Sequence, residues 1–300
     1  MADTVLGNVG GKIADQVIVQ LYAPAYVFWA GGIALYMHAH WTSLKPVVTT
    51  LPESNMIVLA AGWALLVAAS AAIGQRFEPG AVRLLEGYHW PERLKKWRCQ
   101  RFTKRYTDAV SVFQSLAPKI DHNTATPAER EQYVDTDLQL HRLPPNPDDI
   151  MPTELGNILR AAERRVEAKY GLDPRICWAR LWGLISKDAR DDLADSRAVL
   201  DIGARSFLWG GLFAVWTIWS WWAILVAVAA VLASYAWMIQ AADAYGELLE
   251  SAYDVYRFAL YKSLCLRLPA DSAEEPGMGR LLTRFLWRGD VPATFTNPSP

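Results

Sequence analysis

Long stretches of this 300-residue chain lack charged side chains, although 20% of its residues are Asp, Glu, Lys or Arg. None of these residues occurs within 21–43, 54–75 or 206–242. About 20 apolar residues in a helix cross the roughly 30 Å hydrocarbon core of a bilayer. The uncharged stretches therefore predict membrane-spanning helices and argue against an ordinary soluble domain.

The stretch 206–242 is too long for one crossing, because a helix over it would reach roughly 55 Å. A reversal near Ser220 divides it into spans at about 203–219 and 221–241. With the two earlier stretches, this predicts an all-α polytopic membrane protein that has four transmembrane helices and a helical cytoplasmic domain.

Cysteine is scarce, and the spacing of Cys99, Cys177 and Cys265 fits no metal site. The chain also has only five histidines, and they form no cluster with metal-ligand spacing. No Gly-rich nucleotide loop, local nucleophile motif or β-rich run occurs. We therefore expect no catalytic, cofactor-binding or metal-binding residues, and we do not expect an enzyme.

Tryptophan, in contrast, is abundant, with 14 residues. Four of them fall at the predicted reversal: Trp216, Trp219, Trp221 and Trp222. Indole rings collect at headgroup depth, because they are apolar and carry one N–H that needs a polar partner. We predict that these four residues, and Trp41 at the outer end of the first span, are membrane-interface anchors. An aromatic platform that stacks a ligand is the alternative.

The net charge of -1 hides a strongly basic segment at residues 93–105. It contains no acidic residue and seven basic ones: Arg93, Lys95, Lys96, Arg98, Arg101, Lys104 and Arg105. By the positive-inside rule this segment stays in the cytoplasm, which places both termini inside the cell at its inner (plasma) membrane. We predict that these residues contact anionic lipid, and we favour lipid over nucleic acid.

The spans divide the chain into five regions. These are an N-terminal lead at 1–20, the first two spans within 21–75, a cytoplasmic region at 76–202, the last two spans within 203–241, and a cytoplasmic helical extension and tail at 242–300. Within the cytoplasmic region we predict a basic juxtamembrane helix at 76–115, a linker at 116–152 and a helical domain at 153–202. Pro144, Pro145 and Pro147 favour the linker, because proline interrupts helices.

Local signals mark the helices of the predicted helical domain. Apolar residues recur at helical spacing through 155–170, and Gly171 can end that helix. Asp173 can cap a second helix that has Pro174 in its first turn. A third helix begins after Ser186 and has no strong breaker before the third span.

Small residues recur at four-residue intervals in the predicted spans. They include Ala64, Ala68 and Ala72, the pair Gly210 and Ala214, and the pair Ala230 and Ser234. Small side chains allow helix backbones to approach closely in lipid. These seams predict helix packing within one chain, between copies, or both.

Four carboxylates share one helical stripe after the fourth span: Asp243, Glu247, Glu250 and Asp254. In a ring of subunits the stripe would form stacked acidic belts that attract cations at a pore mouth. The stripe is therefore a candidate cation vestibule, which is one of two interpretations. The alternative is a solvated helix face whose carboxylates pair with arginines of the middle region.

Three segments carry a resemblance to known proteins: MPTELGNILRAAERRVEAKYGLDPRICWARLWGLI at 151–185, YRFALYKSL at 256–264 and RFLWRG at 284–289. They resemble uncharacterised multi-span membrane proteins of actinobacteria, and this resemblance implies no activity or catalytic residues. The order of spans and cytoplasmic regions is similar to that of bestrophin-type anion channels. None of the pore motifs of those channels occurs here, so the similarity is one of layout.

These features lead to two functional hypotheses. The first is an oligomeric inner-membrane protein that forms or gates an ion-permeable pore, for example a membrane-permeabilising effector in conflict or phage defence. The second is a non-conducting membrane anchor or scaffold whose cytoplasmic domain recruits a protein partner. In both, the expected partners are the lipid bilayer and further copies of the chain, without a cofactor or nucleic acid.

Overall fold

The computed structural model describes residues 22–49 and 52–289, and these residues contain no β-strand. The first helix, α1, covers residues 22–39. The other α-helices are α2 (Trp41–Thr49), α3 (Glu53–Glu86), α4 (Glu92–Asp121), α5 (Pro127–His141), α6 (Glu154–Tyr170), α7 (Pro174–Trp182), α8 (Lys187–Leu212), α9 (Ala223–Ser263) and α10 (Glu275–Arg288). Short 3₁₀ helices cover Pro147–Asp149 and Phe213–Ile218. The predicted lead at 1–20 lies outside the described residues.

Three helices in the described part of the chain are long and apolar enough to cross a membrane. They are Ser54–Glu86, Lys187–Ile218 and Ala223–Ser263. The uncharged stretch at 206–242 is divided where predicted, since the chain reverses between the 3₁₀ helix that ends at Ile218 and the start of α9 at Ala223. A helical membrane protein fits these observations, while the predicted first span in α1 stays a prediction.

The capping signals of the helical domain are confirmed. Gly171 ends α6 with φ 70°, as predicted, and the start of α6 has a cap that was not predicted: the side chain of Thr153 accepts a hydrogen bond from the backbone N–H of Gly156. Asp173 caps α7 by accepting from the backbone N–H of Arg175, and Pro174 occupies the first turn. Glycine suits the end of α6, because residues with a Cβ rarely adopt this left-handed conformation.

The prediction of a linker over 116–152 was wrong for most of that range. Helix α4 continues to Asp121, and residues 127–141 form α5. A capping box starts α5: the Thr126 hydroxyl accepts from the backbone N–H of Glu129, whose carboxylate accepts from the backbone N–H of Thr126. The aromatic rings of Phe113 and Tyr133 then stack at 4.6 Å, which ties α5 to α4. Helix capping and contact with α4 offset the weak apolar pattern of this segment.

The predicted juxtamembrane helix at 76–115 is instead divided between two helices. Helix α3 runs on to Glu86 and α4 begins at Glu92. Gly87 lies at the break with φ 97°, a conformation that favours glycine. A Cβ at Gly87 would also lie 2.2 Å from a side-chain carbon of Pro152, so close packing requires glycine here.

The chain separates into two compact units. Unit 1 consists of Met1–Val82 and Val199–Met238, and unit 2 consists of Arg83–Ala198 and Ile239–Pro300. Helices α3, α8 and α9 each contribute residues to both units.

Aromatic residues form much of the core of unit 1, and two of them pack against glycines of α1. The ring of Phe28 lies 5.1 Å from that of Trp216, and the rings of Trp216 and Trp219 stack at 5.0 Å. A Cβ at Gly32 would lie only 2.2 Å from the Trp216 indole, and one at Gly31 would lie 2.7 Å from the Phe213 ring. The bare backbone of α1 therefore makes room for the 3₁₀ helix at Phe213–Ile218.

Unit 1 also contains a two-point ion pair between α3 and α8. Arg205 Nε donates to Glu78 Oε1 at 2.6 Å and Arg205 Nη2 donates to Glu78 Oε2 at 3.1 Å. The two side chains are only 10% and 13% exposed. Both charges lie just outside the uncharged stretches, so their pairing reduces the cost of placing charge next to apolar helices.

The core of unit 2 joins α6, α7, α9 and α10. Its buried members include Val166, Cys177, Tyr253, Leu260 and Leu282. Trp178 and Trp182 are partly buried against the same core, with their rings 5.4 Å apart. The carboxylate of Glu275 on α10 pairs with Arg257 on α9 at 2.7 Å within this packed region.

Gly32→Ala should destabilise the fold, because the new methyl group would overlap the Trp216 indole. Overpacking of this kind costs about 1–3 kcal/mol. We expect a lower midpoint of thermal unfolding for the purified protein in detergent. Gly62→Ala in α3 is the matched control, since nothing lies within 4 Å of its Cβ position. Equal stability of the two variants would contradict the packing described for α1.

Candidate functional site

The four carboxylates of the predicted cation vestibule lie along α9 in unit 2, and three of them pair with basic side chains. Asp243 pairs with Arg142, with Nη2 and Oδ2 2.5 Å apart. Glu250 accepts from Arg165 Nε at 2.8 Å, and its other oxygen lies 3.4 Å from Lys169 Nζ. Lys169 Nζ is also 3.1 Å from Asp254 Oδ1.

Tyr170 completes this polar contact between α6 and α9. Its hydroxyl donates to the carboxylate of Asp254, and its ring lies 4.5 Å from the guanidinium carbon of Arg257. Burial opposes the charged form of Lys169, but its hydrogen bonds and its electrostatic attraction to Asp254 and Tyr170 together outweigh this and raise the pKa of Lys169 above the ordinary lysine range. Lys169 is therefore charged at neutral pH.

Glu247 differs from the other three carboxylates of the stripe. Its side chain is exposed and makes no ion pair or hydrogen bond with the residues that the structure describes. Within one chain, the stripe is thus mostly compensated by the basic residues Arg142, Arg165 and Lys169, an arrangement that fits the alternative of paired carboxylates. A cation vestibule stays a prediction, and Glu247 is the member best placed to meet solvent.

Sequence reasoning did not assign the basic partners to particular carboxylates. The spacing of the charges does indicate two of these pairings. Arg165 and Lys169 are four residues apart on α6, and Glu250 and Asp254 are four residues apart on α9. Residues at this spacing share a helix face, so two helices that pack with these faces together can form matched ion pairs. Arg142 follows directly after α5, and no sequence signal indicates that it contacts Asp243.

The predicted interface tryptophans have two different environments. Trp216 is buried in unit 1, and its Nε1 finds no hydrogen-bond partner in the described structure. Trp221 is 72% exposed, and Trp222 and Trp41 are about half exposed. Trp219 is half-buried and stacks on Trp216. The exposed residues Trp41, Trp221 and Trp222 suit the predicted role at the membrane interface, which stays a prediction. Trp216 is instead part of the core.

The basic residues of 93–105 lie on α4 and are mostly exposed. Lys95 and Arg98 are half-buried, and the exposed members are Arg93, Lys96, Arg101, Lys104 and Arg105. Arg98 has an intramolecular role, because its Nε donates to the carbonyl of Pro152 at 3.1 Å. Trp97, half exposed on the same helix, lies 5.3 Å from the guanidinium carbon of Arg101. This mix of exposed basic and apolar groups suits contact with anionic lipid, which stays a prediction.

Cys177, the buried one of the three cysteines, has a thiol of low reactivity. Burial raises the pKa of the Cys177 thiol to about 11, so the nucleophilic thiolate is rare at neutral pH. No group of three or more His, Cys, Asp or Glu side chains within 22–49 and 52–289 is arranged to hold a metal ion.

Comparisons with protein-family models, curated proteins and solved structures found no match for this chain. The resemblance to actinobacterial membrane proteins therefore stays a prediction.

Glu250→Gln should destabilise unit 2, because it leaves the partly buried charge of Arg165 without its carboxylate partner. Loss of a hydrogen bond to a charged group costs about 1–3 kcal/mol. We expect a lower thermal unfolding midpoint for this variant. Glu247→Gln is the matched control on the same helix face and should change stability by less than about 0.5 kcal/mol. If the two variants unfold alike, the ion pairs of the stripe do not contribute to stability.

Proposed function

We propose that the chain is an oligomeric inner-membrane protein whose spans form or gate an ion-permeable pore, with unit 2 as its cytoplasmic control domain. A membrane-permeabilising effector in conflict or phage defence is one concrete form of this function. The observation that carries the proposal is a face of small residues on α3 that a single copy of the chain leaves uncovered.

This face includes Ala64 and Ala72, which are both exposed, and Ala68, which lies between them at four-residue spacing and is half-buried. Helix α3 instead buries Val67 and Ala71 in the core of unit 1. In lipid, apolar helices gain little from hydrophobic burial, so close contact through small residues is a main source of helix association. The uncovered face is therefore suited to contact a second copy.

A second observation concerns α8 and α9, each of which contributes residues to both units. Helix α9 is 41 residues long, and no proline interrupts it. At 1.5 Å per residue it extends over roughly 60 Å. A continuous helix of this kind gives a route by which a change in unit 2 reaches the spans. Such a route is what gating requires.

The basic residues on α4 support the orientation in this proposal. They follow α3 directly, and positively charged loops next to spans remain in the cytoplasm. Unit 2 then faces the cytoplasm together with both termini.

We expect the wild-type protein to be oligomeric by native mass spectrometry and to release ions from liposomes once the correct trigger is present. Ala64→Leu combined with Ala72→Leu should reduce the oligomer and lower ion flux to the level of protein-free liposomes, because the added side chains block close helix approach. Ile73→Leu, at an exposed and already large residue of the same helix, is the matched control and should change neither measurement.

A wild-type protein that is monomeric and releases no ions under any trigger would contradict the pore. If the wild type and the double variant conduct ions equally, the pore is supported, but its subunits do not contact each other through this face of α3.

A non-conducting anchor or scaffold is the second candidate function, and an exposed apolar pair on α5 favours it. Val134 and Leu138 are 55% and 60% exposed, and their four-residue spacing places them on one helix face. We expect a partner protein, if one binds here, to remain bound after all spans are exchanged for an unrelated membrane anchor. Val134→Glu combined with Leu138→Glu should abolish that binding in co-purification. Loss of the partner on exchange of the spans would argue against the scaffold.

A further inference from the structure

Unit 2 contains a cleft of about 230 Å³ formed by residues of α6, α7, α8 and α9 with the end of α3. Sites for drug-sized ligands have volumes of about 300–1,000 Å³, so this cleft suits a smaller molecule. Its charged lining has both signs: the guanidinium groups of Arg160, Arg175 and Arg197, and the carboxylates of Glu86 and Glu163. The indole of Trp178 and the phenol ring of Tyr245 complete the site.

The charges of Arg160 and Glu163 at this cleft are only partly satisfied within the chain. Arg160 Nη1 and Glu163 Oε2 are 3.5 Å apart, whereas charge-assisted hydrogen bonds usually measure about 2.7–2.9 Å. Arg160 Nε is buried and has no hydrogen-bond partner among the described residues. Burial also raises the pKa of Glu163, and the nearby Arg160 offsets this only in part. A ligand that brings its own charges can therefore improve the pairing of both groups.

Arg175 and Arg197 already have defined surroundings. Arg175 donates to both oxygens of Asp173, at 3.1 Å from Nε and 2.8 Å from Nη2. The guanidinium carbon of Arg197 lies 5.9 Å from the centre of the Tyr245 ring. These contacts hold the two side chains in place, so the positive side of the cleft is largely organised before a ligand binds.

The aromatic wall is also held by packing. The ring of Trp178 lies 5.4 Å from that of Trp182 and 6.2 Å from that of buried Tyr253. A rigid indole presents a flat apolar surface at little entropic cost. Planar or branched apolar groups pack well against such a surface.

We propose that this cleft binds a small zwitterion of the amino-acid class that has an aromatic or large apolar side chain. Its carboxylate pairs with guanidinium groups at Arg160 and Arg197, its ammonium pairs with the carboxylate of Glu163, and its side chain packs against Trp178. A simple anion would meet two carboxylates in the cleft and a simple cation would meet three guanidinium groups. A zwitterion presents a matching charge to each. This site goes beyond the proposed function and does not depend on whether the spans conduct ions.

Isothermal titration of the full-length protein in detergent tests the proposal with three matched probes. L-Phenylalanine carries both charges, 3-phenylpropionate lacks the ammonium and 2-phenylethylamine lacks the carboxylate. Leucine, tyrosine and tryptophan extend the series. We expect at least one of these amino acids to bind. For phenylalanine, both single-charge analogues should bind at least about tenfold more weakly, since each loses one charge-assisted contact. Absence of binding by all four amino acids, or equal binding of 3-phenylpropionate, would overturn the proposal.

A variant separates the ammonium contact from general effects on the fold. Glu163→Gln keeps the size of the side chain but removes its charge, so amino-acid binding should weaken at least about tenfold, while 3-phenylpropionate should bind no more weakly than to the wild type. Glu247→Gln is the control, because Glu247 is exposed and lies outside the cleft. Thermal unfolding should show both variants folded. Unchanged amino-acid binding by folded Glu163→Gln would overturn the assignment of the ammonium.

Discussion

The main physical constraint on this fold is the large apolar surface that one copy of the chain leaves exposed. In a single copy, α3 leaves Ile57, Leu65 and Ile73 more than half exposed, and α9 does the same with Leu225 and Leu232. Apolar surface on this scale is unfavourable in water and needs lipid or protein against it. The rest of the organisation is consistent with this need, since charges are absent from residues 54–75 of α3 and 223–242 of α9 and are concentrated in unit 2.

Unit 2 must instead accommodate charge, because its helices carry many charged side chains and still pack closely. It does so by pairing them: Arg165 with Glu250, and Arg257 with Glu275. Each pair joins side chains less than 20% exposed, where an unpaired charge would be costly. Carboxylates that resemble a free acidic belt in the sequence therefore hold helices together in the fold. Their assignment to a pore mouth requires charges that this packing does not already compensate.

The proposed pore and the proposed ligand cleft rest on separate observations, yet α9 is common to both. It contributes Tyr245 to the cleft in unit 2 and Ala227 to the aromatic core of unit 1. A ligand that changes the position of α9 at the cleft would act on a helix that also belongs to a candidate span. If both proposals hold, the cleft is a natural place for the signal that controls the spans.

Local sequence signals determined the helical class, the reversal between α8 and α9, the end of α6 and the start of α7, because uncharged length, capping residues and helix-ending glycine act within a few residues. They failed at α5, where contact with α4 supports a weakly patterned helix, and they did not indicate that α3 continues to Glu86. Only the tertiary structure decided that Trp216 is buried on the bare backbone of Gly32 and that Glu250 pairs with Arg165. Such contacts join residues far apart in the chain, and their energies depend on which helix faces meet, which local spacing does not specify.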